Sequence, residues 1–349
     1  MTTGLAAFCI ALIASLGFTV PVRAFALRVG MVDLPGPRKV HLTPMPLLGG
    51  LAMYISVVLA ILLTLEGSAR AQSVGILAGA TLVAIVGFLD DRGLLHHQIK
   101  LFVGMPVAAV MVLATGIHAN VFSVFVGGRT GQILDVALSL VWIVGITAAF
   151  SILDHMDGLC AGVAAVGSLF FVILAYDSGQ HLVTILAAAL LGSAMGFLRW
   201  NFKPAKIFMG DGGAMFLGFL MATLALKLRV ATMSPQIEWL VPLLVLGVPI
   251  FDTTLVSISR LRRGLLPFAN PGKDHAAHRL ANLGLDQRNA VLAMYGAGIG
   301  FGALALLASR LSFPRAVLLA VLVAAAILTL VMLLERVPFE RQSAKKAGT

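Results

Sequence analysis

The feature that most constrains this chain is its succession of long apolar runs separated by short polar segments. Runs of about 16–24 residues fall near 4–27, 49–65, 74–89, 101–117, 133–151, 160–176, 181–198, 212–226, 237–258, 290–308 and 316–334. An apolar stretch of that length crosses the hydrocarbon layer of a bilayer as a helix, because a helix satisfies its own backbone polar groups. The expected fold is therefore all-α and integral to the membrane, with about eleven transmembrane helices. Composition agrees: 59% of the 349 residues are hydrophobic and 11% charged, against roughly 25% charged in a soluble domain.

Charge placement sets the expected orientation. Put the N-terminus outside, and nineteen of the 25 Lys and Arg fall in cytoplasmic segments, with six on the other side. That excess follows the positive-inside rule, requires an odd number of spans and leaves the C-terminus cytoplasmic. The net charge of +10 is dispersed over loops that face anionic lipid, which excludes a nucleic-acid-binding tail. Residues 1–335 read as one polytopic unit and 336–349 as a short cytoplasmic tail. The first apolar run lacks a basic leader and reads as a retained span. Cys9 and Cys160 support neither a disulfide framework nor a zinc site. Val121, Ser123, Phe125 and the Gly127–Gly131 cluster read as a strand and turn, giving a small extracytoplasmic β-hairpin near 121–134.

The polar residues gather in segments assigned to the cytoplasmic face. Arg38 and Lys39 lie in a Pro- and Gly-rich loop that meets either a phosphate or anionic headgroups. Asp90 and Asp91 close the third span, and Lys100 precedes the fourth. Adjacent carboxylates at a membrane boundary need a partner cation or water; they suit metal-linked phosphate chemistry, or cap a solvated loop. Asp154 and Asp157, three apart, share a face of a helical turn before Gly158, in a loop without Lys or Arg. Asp211 stands among glycines where the eighth span starts, as a Mg²⁺ ligand beside anion-facing amides or as an N-cap. His275 and His278 lie three apart in the last long loop. Two His alone are a weak zinc signal, and phosphate contact fits the basic surroundings better. Together these segments describe a Mg²⁺-diphosphate site at the membrane surface.

In order, DLPGPRKVH, PMPLLGG, FLDDRGLLHHQIK, LDHMDGLCAGVA, KIFMGDGGAMFLGF and GKDHAAHRLANLGL resemble the motifs of the polyprenyl-phosphate N-acetylhexosamine-1-phosphate transferases of glycosyltransferase family 4. The resemblance covers about residues 30–285. It implies transfer of a HexNAc-1-phosphate from a UDP-amino sugar to polyprenyl (undecaprenyl) phosphate, with release of UMP. That is the first membrane step of cell-envelope glycan synthesis. It further implies Mg²⁺ (with Mn²⁺ as an alternative ion), an inner-membrane location with the site facing the cytoplasm, and a homodimer. By resemblance Asp211 is the principal metal ligand, and Asp90 positions or deprotonates the lipid phosphate with Asp91 supporting it. Lys100 is a phosphate partner, and Asp154, Asp157 and Gly158 face nucleotide and sugar. His275, His278, Arg38 and Lys39 bind substrate.

The chain departs from the pattern at Leu47 (often Arg), Ala148 and Ser151 (usually Asn), His155 (often Asn or Gly), Ala214 (often Ser) and Ala277 (often His). The departures are expected to weaken nucleotide contacts. They also motivate a second reading, a catalytically weak member that binds lipid-linked intermediates or acts as a scaffold. A transporter would need ionisable groups deep in the spans, where Asp135 and Asp252 are nearly the sole candidates.

Overall fold

The computed structural model describes residues 2–35, 43–65, 70–95, 97–267 and 272–337. The chain begins with α1 (Thr2–Arg28). A minimal antiparallel pair follows, β1 (Val32–Asp33) and β2 (Met45–Pro46), with Val32 opposite Pro46 and Asp33 opposite Met45. Next come α2 (Gly49–Thr64), α3 (Arg70–Asp91) and the single turn α4 (His97–Ile99). A π-helical turn over Lys100–Gly104 leads into α5 (Met105–Leu113). After α6 (Phe122–Phe125), three long helices follow: α7 (Gly128–Leu153), α8 (Leu159–Asp177) and α9 (His181–Asn201). The chain continues through α10 (Gly210–Lys227), α11 (Leu240–Val245), α12 (Gly247–Leu261) and α13 (Ala276–Asn282). It ends in α14 (Gln287–Ala308) and α15 (Phe313–Glu335).

This is an all-α membrane architecture. Among the described residues, seven helices are long and apolar enough to cross a bilayer: α1, α3 from Gln72, α7, α8, α9, α14 and α15. Two shorter apolar stretches, Gly49–Thr64 and Lys100–Leu113, accompany them. Two expected spans are less regular than a hydropathy reading implies. The one near 101–117 opens with the π-helical turn, and the one near 237–258 breaks at Leu246 between α11 and α12.

The expected β-hairpin near 121–134 is not formed; the segment is helical. Asp135, fully buried in α7, accepts the amides of Val121 and Phe122 through Oδ1, each at 2.8 Å, and that of Ser123 through Oδ2 at 2.9 Å. One carboxylate thus satisfies the free donors that start α6. Gly127 and Gly128, at φ 68° and 57°, then reverse the chain into α7. Three alternating apolar residues could not show that a carboxylate in the next helix would supply what a partner strand supplies.

The core is built around α10. Every residue of this helix is buried except Asp211 and Lys227, and it packs against α2, α3, α7 and α8. Its first turn is clamped by backbone. A Cβ on Gly50 would stand 2.2 Å from Gly213 Cα, and one on Gly87 would stand 2.5 Å from Gly212 Cα. Such approach is open only to glycine, and it uses the small-residue contacts on which helix packing in lipid relies. At the periphery, only 11% of the spanning stretch of α15 is buried, and Leu318, Val321 and Leu322 face outward. That surface suits lipid.

Candidate active site

Where α3 ends and α10 begins, the π-helical turn and α7 also converge. Lys100, on the π-helical turn, places Nζ 2.6 Å from Asp90 Oδ2 and 2.7 Å from Asp211 Oδ2. From α7, Ser151 donates its hydroxyl to Asp211 Oδ1 at 2.5 Å. A π-turn adds a residue to the helical circuit and frequently marks a functional position; here it carries the lysine that joins the two carboxylates.

Asp91 does a different job. Its carboxylate accepts the backbone amides of Asp211 at 2.8 Å and of Gly212 at 3.1 Å. These are leading amides of α10, where a negative charge also complements the helix dipole. The glycines of the GDGG motif therefore do not leave these two amides open to a substrate anion, as the sequence reading expects; the anion they meet is Asp91. Gly210, at φ 74°, permits this, since a Cβ there would lie 2.6 Å from both Asp91 Oδ2 and Leu47 O.

Asp90 and Asp211 present hard oxygen donors that share one cationic group, the Lys100 ammonium. A carboxylate pair around a positive charge at a helix end fits Mg²⁺, which prefers one or two carboxylates plus water and phosphate oxygens. Mn²⁺ takes the same ligand class.

The loop between α7 and α8 lies alongside. Burial, then the negative charges of Asp211, Asp91 and Asp157, push the Asp154 carboxyl up to about 8. Asp157 Oδ2 accepts the amide of Ala205 at 3.1 Å. Gly158, at φ 79°, donates its amide to Asn201 Oδ1 at 3.0 Å and accepts the Tyr295 hydroxyl at 2.5 Å. Those contacts make Gly158 the pivot that sets the loop.

On the other flank, His275 and His278 reach the same loop through His155, whose ring centroid lies 4.0 Å from His275 and 4.7 Å from His278. Burial, then His275 and Lys273, hold the His278 imidazole down at about 4. Burial, then His275 and His278, keep His155 well below its ordinary value. His275 Nδ1 lies 2.8 Å from Asp252 Oδ2, and Asp252 Oδ1 accepts the Ala276 amide at 2.7 Å. Asp252 is thus explained by a local partner and not by an ion pathway.

Beneath these histidines lies an arginine network that the sequence reading missed. Arg260 pairs with Asp274 through Nε and Nη2, each at 3.0 Å, and Arg263 adds a contact at 2.5 Å. Burial alone would raise the Asp274 carboxyl, but the hydrogen bonds from Arg260 and Arg263 bring it to about 2. Arg279 is fully buried and donates to Asp274 O, Leu334 O, Ser259 Oγ and Glu335 Oε1. It ties α13 to α12 and α15. A lone Arg in a loop and a lone Glu at a span end carry no signal for pairing across so long a separation.

Residues 73–229 match the family described as Glycosyl transferase family 4. A protein of Bacillus subtilis named as a probable undecaprenyl-phosphate N-acetylglucosaminyl 1-phosphate transferase is 37% identical over 84% of this chain and 82% of its own length. The chain belongs to glycosyl transferase family 4. A decaprenyl-phosphate N-acetylglucosaminephosphotransferase of Mycobacterium tuberculosis is 36% identical over 91% of this chain and 86% of its own length. An undecaprenyl-phosphate alpha-N-acetylglucosaminyl 1-phosphate transferase of Yersinia pestis is 29% identical over 90% and 87%.

Within this family 4 chain, the structure joins Asp90, Asp91, Lys100 and Asp211 directly and sets Asp154 within reach of the Asp211 and Asp91 charges, while His275 and His278 meet the Asp154 loop at His155. Arg38 and Lys39 lie outside the described residues. Among the departures, Ser151 keeps a donor and spends it on Asp211, contrary to the expected loss. Ala148 packs on the apolar core, and Ala214 and Ala277 are fully buried. His155 brings a third imidazole to the pair in the last loop.

Proposed function

We propose that this protein transfers an N-acetylhexosamine-1-phosphate from a UDP-linked amino sugar to a polyprenyl phosphate and releases UMP. The observation that carries the reading is Lys100 bridging Asp90 and Asp211 at the junction of α3 and α10. This charged cluster is held at the end of membrane helices, where a lipid phosphate and a water-soluble nucleotide can meet. The names of the relatives point to the same chemistry. Eleven spans, an outside N-terminus, a cytoplasmic site at the inner membrane and a homodimer complete the proposal.

In the reaction, an oxygen of the lipid phosphate attacks the sugar-bearing phosphorus of the donor. A new P–O bond forms, the bond to UMP breaks, and the electron pair leaves on the UMP phosphate. Asp211 with Asp90 would hold Mg²⁺. The ion supplies charge screening of the diphosphate and of the leaving phosphate. Lys100, held at the site by two carboxylates, is placed to meet a phosphate oxygen. Asp90 aligns the attacking lipid phosphate. Burial favours the protonated form of Asp154, which offers a hydrogen bond to donor oxygens. His275, oriented by Asp252, closes the sugar-phosphate side.

The test is incubation of purified protein with polyprenyl phosphate, Mg²⁺ and a panel of labelled UDP-sugars. The expected result is labelled lipid and UMP in equal amounts with a UDP-amino sugar. Absence of both from active-site-intact, monodisperse protein with every donor would overturn the proposal.

A further inference from the structure

The end of the bundle that carries Asp211 also carries five exposed cations, Arg23, Arg199, Lys203, Lys206 and Arg288, which the transfer chemistry does not use. Among the described residues, none of the five pairs with a carboxylate. Arg23 donates through Nε to Lys206 O at 3.0 Å, and Lys203 meets the side-chain oxygen of Gln287. Asp157, which touches this segment, and Asp286, next to Gln287, are engaged by the backbone amides of Ala205 and Asn289. The surplus of positive charge is thus left open to an anion from outside the protein.

Two aromatic rings hold these charges in place. The Arg199 guanidinium and the Lys206 ammonium each lie 5.5 Å from the Trp200 ring centroid, and Arg288 lies 5.7 Å from that of Phe202. A cation over a ring face is attracted by the ring quadrupole. Trp200 is itself fixed, since Nε1 donates to Leu16 O at 3.2 Å. The backbone beneath is fixed too. The Lys206 amide returns to Trp200 O at 2.8 Å, and Asn201 Nδ2 donates to Ile207 O at 3.0 Å. A ligand that meets cations on such a frame loses little to ordering them.

What adjoins the charges defines the occupant. The cations lie where α1, α9 and α14, each long and apolar enough to span a bilayer, come to an end. Val20 stands three residues before Arg23 and Met195 four before Arg199, so each shares a helix face with its cation. Both are open, at 52% and 46% exposure, and α1 packs along α9. A molecule that uses both surfaces has an anion at one end and hydrocarbon at the other; a free nucleotide uses only the first. We propose that Arg23, Arg199, Lys206 and Trp200, with Lys203 and Arg288 beside them, bind the headgroup of an anionic phospholipid in the leaflet on the Asp211 side. Its acyl chains lie along α1 and α9. Arginine and lysine donors match phosphate oxygens, and tryptophan favours the headgroup level. Basic side chains spread over the surface would attract anionic lipid only diffusely; here Arg199 and Lys206 converge on one ring. The site does not rest on the transfer reaction.

The experiment uses the full chain in phosphatidylcholine nanodiscs without substrates, in a Trp142→Phe/Trp239→Phe background that leaves Trp200 as the single tryptophan. Phosphatidylglycerol or phosphatidylcholine with brominated acyl chains is added in small proportion, and quenching of Trp200 fluorescence gives the relative affinity. The expected result is a preference for phosphatidylglycerol of about tenfold or more, reduced about fivefold by each of Arg199→Gln and Lys206→Gln. Arg315→Gln, at the other end of the bundle, should leave it unchanged. Equal quenching by the two lipids, or a preference that neither Arg199→Gln nor Lys206→Gln reduces, would overturn the site. So would displacement of the brominated lipid by UDP, which would assign the cations to a soluble nucleotide. Should the tryptophan variants fail to fold, native mass spectrometry of the wild type compares the two lipids retained from mixed nanodiscs. Equal retention there would overturn the site as well.

Discussion

Asp91 and Asp211, 120 positions apart, are joined by a 2.8 Å hydrogen bond from the Asp211 amide to the Asp91 carboxylate. The bond fixes the backbone that aims the Asp211 side chain, so of two adjacent aspartates one faces the lysine and the other holds the helix. Asp91→Ala strips partners from two leading amides of α10, each costing about 1–3 kcal/mol when buried. A fall in thermal midpoint together with weaker apparent Mg²⁺ affinity is expected. Asp90→Ala should reduce transfer with little change in midpoint. Thermal unfolding in detergent alongside Mg²⁺ titration of activity separates them, and equal midpoints for the two variants would refute the division of labour.

Asp211→Asn should abolish Mg²⁺-dependent transfer while the protein stays folded. The amide keeps the shape of the side chain but loses the charge that holds a hard cation and pairs with Lys100. Wild-type turnover by a well-folded variant would remove Asp211 from the metal site.

Much of this site was legible because charge is costly among apolar runs. Asp90, Asp154 and Asp211 interrupt long hydrophobic stretches, and their position at span ends pointed to one face. What could not be read was which partner each group finds. Asp91 next to Asp90 looks identical in sequence, yet only the fold shows that it meets the α10 amides. His155 looked like an isolated departure until α13 brought His275 and His278 against it. Arg279 and Glu335 lie 56 positions apart, and no local pattern announces such a pair. The failed hairpin has the same origin, since the deciding group, Asp135, sits in the following helix.

Two of the perturbed carboxyls, Asp274 and Asp154, give opposite dependences on pH. Asp274 titrates near 2 in the folded protein, below its ordinary 3.9 or so, so the folded state binds fewer protons between those values. Its contribution is present above pH 4 and is lost as pH falls from about 4 to 2, with an order of magnitude of about 2 kcal/mol. Asp154, pushed up to about 8, keeps a proton that the unfolded chain has released, and stability is lost as pH rises from about 4 to 8. Asp274→Asn should therefore flatten the acid limb of the midpoint–pH curve. Asp154→Asn should gain on the wild type steadily up to pH 8 and no further. Parallel curves for wild type and either variant would contradict the corresponding assignment.

The departures at 148 and 151 now separate. Ser151 Oγ donates to Asp211 Oδ1 at 2.5 Å, so this position already contributes a hydrogen bond to a charged group, worth about 1.5–3 kcal/mol. Ser151→Ala should weaken apparent Mg²⁺ affinity by about 10–100-fold without altering the fold. Ser151→Asn keeps a donor and should change little. Ala148 is three residues earlier on α7, on the same side of the helix, and has no polar group to offer. Ala148→Asn adds a donor there and should tighten UDP-sugar binding by about 2–10-fold, from one bond of about 0.5–1.5 kcal/mol. Equilibrium binding of UDP-sugar with Mg²⁺ present, measured for the three single variants, decides the matter. A gain from Ser151→Asn alone would mean that the serine's bond to Asp211 is incidental and that position 151 is a nucleotide contact after all.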